Sequence, residues 1–192
     1  VQPAVDAAWI RVGQAEVKHT DGTTWYQAGL TMALWTLATT AATVFKIVAD
    51  STSKTLLPLY GACSGILVSD RATALNFWAM ESRQICFAHL LRKFVSFSER
   101  DGPVGAFGQQ LLDYTGIVFE YWHAYKAGKL SRERLVAWMV PVRKQMEALL
   151  EQAVAANIKG LSGSCADILA HRLALWTFVD TEGVEPTNNH AE

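Results

Sequence analysis

Two hydrophobic rhythms divide the chain. In "VQPAVDAAWIRVGQAEVKHT" the apolar residues Val5, Ala8, Trp9 and Val12 recur at helical spacing, which predicts an opening helix followed by a short extended segment ending at Asp21. "MALWTLATT" and "ATVFKIVA" are rich in threonine, valine and aromatics and are parted by small residues, the pattern of two strands of a hairpin. "SKTLLPLYGAC" predicts a short irregular helix blemished by Pro58. "GILVSD" is a compact apolar run that breaks at Asp70, as a buried strand does at the carboxyl edge of its sheet. "RATALNFWAM" predicts a helix and "RQICFAH" a further strand. From about Leu90 the strand-like runs give out and helical periods take over. Leu111, Val118, Trp122 and Tyr125 share one face of a helix ending at Gly128. Leu135, Trp138, Met139, Val142, Met146 and Leu149 share a face of the next, which Ser131 caps. A third helix starts after Gly163-Ser164 and runs through Ile168, Leu169, Leu175, Trp176 and Val179. The terminal "EPTNNHAE" reads as a loop feeding a helix start, with Asn189 as cap and Glu192 three residues on. The predicted layout is a mixed α/β unit, an all-helical segment and the start of another helix, with no internal repeat.

Composition narrows the class. A chain of 192 residues, 51% hydrophobic and 18% charged, buries a real core. No apolar run reaches the length of a membrane span, since threonines, Lys46 and Asp50 interrupt "AGLTMALWTLATTAATVFKIVAD". The chain opens on Val1, so an excerpt of a longer protein is expected. Three irregularly spaced cysteines, Cys63, Cys86 and Cys165, argue against a disulfide framework and for a reducing, cytoplasmic setting. Net charge of -1 offers no general attraction for nucleic acid. Locally, Lys126, Lys129, Arg132, Arg134, Arg143 and Lys144 face only Glu133, a density that suits either a solvated helix face or contact with a phosphate backbone.

Candidate chemistry lies with the acids. Asp21 follows "VKHT" and Asp70 follows "GILVS". Side chains at strand ends converge on the edge where α/β sheets bind ligands, so two such aspartates and a glutamate from a nearby helix would make a three-carboxylate cluster. That cluster repels itself unless hard divalent cations sit among the oxygens, and magnesium suits carboxylates, water and phosphate. The plainer reading of each aspartate is a turn residue after a strand.

"DGTTWYQAG...ALWTLATTAATVFKI", "GILVSDRATAL", "RQICFAHLLRKF" and "LWTFVDTEGVEPTNNHAE" resemble, in order and spacing, the core of transposases of the insertion sequence 66 family from about Val17 to Glu192. The resemblance implies a DDE enzyme with an RNase H-like α/β fold: a helical lead-in over 1–16, a mixed-sheet core over 17–89, a large all-helical insertion over 90–180, and the truncated start of the acid-bearing helix over 181–192. It implies Asp21, Asp70 and Glu192 as the catalytic, metal-binding triad, two magnesium ions for which manganese can substitute, and DNA as partner and substrate, bound by a homo-oligomer. Asn188, Asn189, Arg132, Arg134, Arg143 and Lys144 are then candidate DNA contacts. Cys86 and His89 match a Cys-x-x-His of the family and are taken as support for the site. They do not read as zinc ligands, because no second pair completes four.

Two departures stand out. The family reads Asp-Glu-Thr where this chain has Asp21-Gly22-Thr23, an expected loss of a carboxylate beside the site and a gain of backbone freedom. The family also continues past the final glutamate with a long helix. These departures motivate a rival expectation, a remnant that binds DNA or transposase subunits without cutting.

Overall fold

Five strands pair in the order β3-β2-β1-β4-β5: β1 (Val17–Gln27), β2 (Leu30–Ala38), β3 (Thr43–Val48), β4 (Ile66–Ser69) and β5 (Arg83–Ile85). The computed structural model describes residues 2–191, in two compact units: the sheet unit, made of the chain before Phe87 and after Glu182, and the helical unit Phe87–Glu182. β1, β2 and β3 form an antiparallel meander, whereas β4 and β5 run parallel to β1. The β1–β2 turn is two residues, Ala28 and Gly29, with φ of 50° and 78°, the doubly positive geometry that matches strand twist in a tight hairpin.

One face of the sheet carries the core of this unit. Ala33, Trp35, Leu37, Val44 and Leu67 point toward α1 (Gln2–Gly13) and α2 (Ser53–Tyr60), burying Trp9, Val12, Leu56 and Tyr60. Trp9 donates from its indole N–H to Leu59 O at 2.9 Å and meets the Tyr60 ring edge-on at 5.5 Å. The hydroxyl of Thr52 caps α2 by accepting from Thr55 N–H.

Two expectations for this unit need correction. β1 does not stop at Asp21 but continues through Gln27, so Asp21 lies in mid-strand opposite Thr36. The segment "RATALNFWAM" is not a helix. It holds a 3₁₀ turn at Thr73–Leu75, and a second one follows at Met80–Ser82. The cause is tertiary. The Arg83 guanidinium, fully buried, draws in Asp70 O, Ala72 O and the Asn76 side chain, while Trp78 Nε1 donates to Ser82 O at 2.9 Å.

The helical unit contains α3 (Phe87–Ser98), α4 (Pro103–Lys126), α5 (Arg132–Ala155), α6 (Ser162–Ala170), α7 (Arg172–Leu175) and α8 (Thr177–Asp180). Ser131 is the N-cap of α5, its hydroxyl accepting from Arg134 N–H. The core is aromatic: Phe87 meets Trp176 at 5.5 Å and Phe178 at 5.7 Å, and Trp122 meets Phe178 at 5.7 Å. The third predicted helix is instead three short pieces, α6 to α8, broken near His171 and Trp176. Trp176 and Phe178 are both fully buried, although residues two apart on an unbroken helix lie about 200° apart. Tight turns such as Ala174 N–H to His171 O and Val179 N–H to Trp176 O break the ladder and let both rings reach one core.

Candidate active site

β1 and β4 pair in parallel with Val17 opposite Ile66, Lys18 opposite Leu67 and His19 opposite Val68. Two steps further along the same register, Asp21 is level with Asp70, which directly follows β4. Residues on one row of neighbouring strands share a face, and adjacent strands lie about 4.8 Å apart. Both carboxylates are half-buried and lie just past the last paired residues, at the end where the two strands part. Among the described residues no group of three or more His, Cys, Asp or Glu side chains is arranged to hold a metal ion. Glu192, the expected third acid, lies outside the described residues.

The surroundings hold this row in place. Asp70 Oδ1 accepts Ala72 N–H at 2.8 Å. Arg83 Nε donates to Ser69 Oγ at 3.1 Å and Nη2 to Asp70 O at 3.0 Å, so one guanidinium ties the end of β4 to the loop beyond it. On β1, the Thr20 hydroxyl donates to Thr36 O at 2.7 Å and also hydrogen-bonds the Tyr60 hydroxyl. Burial pushes the Tyr60 phenol above its ordinary range, and the Asp21 charge adds to that push. Burial pushes the imidazole of His19 down to about 4, and the nearby His190 acts in the same direction. An uncharged ring therefore lies two residues from Asp21, on the same face of the strand.

Gly22 plays a different part from the one its departure suggests. Its φ is not positive, and it lies opposite Trp35 in the ladder. A Cβ added there would meet the Trp35 ring at 2.6 Å. Gly22 makes room for an indole in the core, and a carboxylate at this position would point to the face away from Asp21.

The other candidates divide between the two units. Asn188 is fully buried and cannot contact DNA directly. Its side-chain amide donates to Thr20 O at 2.9 Å and its backbone N–H to Cys86 Sγ at 3.2 Å. Asn189 is exposed, and the described residues end in a turn with Ala191 N–H bonded to Asn188 O. Cys86 is buried in the sheet unit, and His89 is half-buried in the first turn of α3. In the helical unit, Arg132 donates to Phe178 O and Val179 O, while Arg143 pairs with Glu147 at 3.0 Å and reaches Asp180 at 3.7 Å. Both guanidiniums are thus engaged within their own unit. Arg134 and Lys144 are exposed. Arg83, His19 and Thr20 carry no signal in the sequence, because a polar residue within a strand gives no sign that it is buried.

The model of the family described as Transposase IS66 family matches residues 1–192, the whole chain. No curated protein and no solved structure matches.

Proposed function

The chain belongs to the transposase IS66 family, and on that premise we propose that it is the catalytic core of a DDE strand transferase with an RNase H-like sheet. Transposases bind DNA, and enzymes of this kind generally use divalent metal. The observation that carries the finer reading is the shared row of Asp21 and Asp70 at the parting of two parallel strands. Hard carboxylate oxygens on one row suit magnesium or manganese, and Asp21, Asp70 and Glu192 are the residues that would hold two such ions. When bound, the ions supply positive charge against the developing charge of a phosphodiester displacement. The reaction is hydrolysis at a transposon end, which frees a 3'-hydroxyl that then attacks target DNA. The chain's own share is positional: Arg83 fixes the loop bearing Asp70, and Thr20 with Tyr60 fixes the strand bearing Asp21. A homo-oligomer on DNA, with Arg134 and Lys144 as exposed phosphate contacts, completes the proposal.

The rival reading, a remnant that binds without cutting, loses the support it drew from Gly22, since that position faces Trp35 rather than the acids. The test is Asp70→Asn. Cleavage of transposon-end DNA should fall at least a thousandfold, on the scale of losing a group that acts at the reacting centre, with DNA binding kept within about twofold. Cleavage at the unaltered rate would overturn the assignment.

A further inference from the structure

We infer that Asn188 and Cys86 form an anchor that spans the parting of β1 and β4 and sets the spacing of the two acids, making Asn188 a positioning residue. The inference rests on the carboxylate row of the proposed function. The pairing of β1 with β4 runs to His19 opposite Val68, so Thr20 is the first residue of β1 beyond it. Asn188 Nδ2 donates to the Thr20 carbonyl at 2.9 Å, and Thr20 immediately precedes Asp21. The backbone N–H of Asn188 donates to Cys86 Sγ at 3.2 Å, and the N–H of Cys86 donates to Ser69 O at 2.8 Å. Ser69 immediately precedes Asp70. A continuous set of three hydrogen bonds therefore joins the residue before one acid to the residue before the other. Asn188 and Cys86 are both fully buried, which shields these bonds from competition with water. A second contact holds the same segment, the His190 ring lying edge-on to His19 at 4.6 Å.

This assigns a chemical task to two residues. Cys86 serves as a buried acceptor and donor rather than a metal ligand or nucleophile, and Asn188 supplies an amide that reaches the Thr20 carbonyl next to Asp21. Two carboxylates sharing metal tolerate little displacement, so loosening the anchor should weaken metal binding before it weakens the fold.

The experiment is calorimetric titration of manganese chloride into the chain and its Asn188→Ala, Cys86→Ala and Cys86→Ser variants, with melting temperature and transposon-end DNA binding measured alongside. Asn188→Ala and Cys86→Ala should lower manganese affinity about tenfold or more while DNA binding stays within twofold. In an Asp70→Asn background, Asn188→Ala should cause no further loss, because its effect runs through the acid pair. Cleavage lost by Asn188→Ala should be partly restored by raising manganese, a split that general destabilisation does not produce. Should Asn188→Ala fail to fold, Cys86→Ala decides the matter through the same affinity, and Cys86→Ser, whose hydroxyl can accept the Asn188 N–H in place of the thiol, should restore it. Unchanged manganese affinity in folded Asn188→Ala or Cys86→Ala overturns the anchor alone. Absence of carboxylate-dependent binding in the unaltered chain overturns the anchor and the reading beneath it together.

Discussion

The sheet unit and the helical unit bury different chemistry. Among the described residues, the polar or charged side chains buried in the sheet unit are Lys18, His19, Thr20, Thr36, Ser69, Arg83, Gln84 and Asn188; in the helical unit they are Thr115, His171 and Thr177. The helical core is instead built from Phe87, Trp122, Trp176 and Phe178. Burying polar groups costs free energy unless each finds a partner, so such groups gather where position matters more than stability. In the sheet unit several of them cluster around one feature, the parting of β1 and β4 beside Asp21 and Asp70.

Arg83 tests that difference most severely. Its guanidinium serves four acceptors, Ser69 Oγ, Asn76 Oδ1, Asp70 O and Ala72 O. Arg83→Ala leaves a cavity and strands those acceptors, so chemical denaturation should show a loss of about 3 kcal/mol or more. Metal affinity should fall with it, since the loop bearing Asp70 loses its tie. A loss below about 1 kcal/mol would mean that water replaces the guanidinium and that the site is held by other bonds.

The sequence shows some of this architecture and hides the rest for physical reasons. The hairpin of β2 and β3, the end of β4 at Asp70 and the Ser131 cap of α5 rest on local patterns, and local patterns are legible. β1 outruns the extended segment its pattern predicts because Thr23 to Gln27 are exposed on both faces, which leaves no alternation to detect. "RATALNFWAM" has helical propensity that the distant Arg83 overrides. Gly22 looks like added freedom until Trp35 is seen against it. The partners of Asn188 lie 168 and 102 residues away, and no spacing rule connects them.

A matched pair of substitutions sharpens the comparison with a smaller effect. Thr20 and Thr115 are both fully buried, and in each the hydroxyl donates to a carbonyl, Thr36 O at 2.7 Å and Leu111 O at 2.8 Å. Thr115 bonds back to its own helix, where the carbonyl already has the helical N–H as partner. Thr20 bonds across strands and also serves Tyr60, whose hydroxyl would be stranded without it. Thr20→Val should cost about 1–2 kcal/mol, whereas Thr115→Val should stay within about 0.5 kcal/mol. Equal costs in denaturant titrations would remove the distinction between the two units.

The smallest effect is a slope with pH. Lys18 is fully buried on β1, its ammonium donating to Ser64 O and lying 5.5 Å from the Trp78 ring centre. Burial lowers its pKa from 10.5 to about 8. Between these values the unfolded chain holds a proton that the folded chain has shed, so unfolding takes up a proton and stability must rise with pH. Below about 8 both states are charged, and the folded state carries the full cost of a buried ammonium. The thiol of Cys63 and the phenol of Tyr60, both pushed upward by burial, act in the opposite sense, but mainly above their ordinary ranges near 9 and 10. From pH 8 to 9 the thiol opposes Lys18 only in part, because it is no more than half ionised in the unfolded chain at the upper end. The unaltered chain should gain stability across this interval, and Lys18→Met, which keeps the length of the side chain without its charge, should show no gain. A rising slope in the variant would place the titrating group elsewhere and leave the buried lysine without a role in the pH dependence.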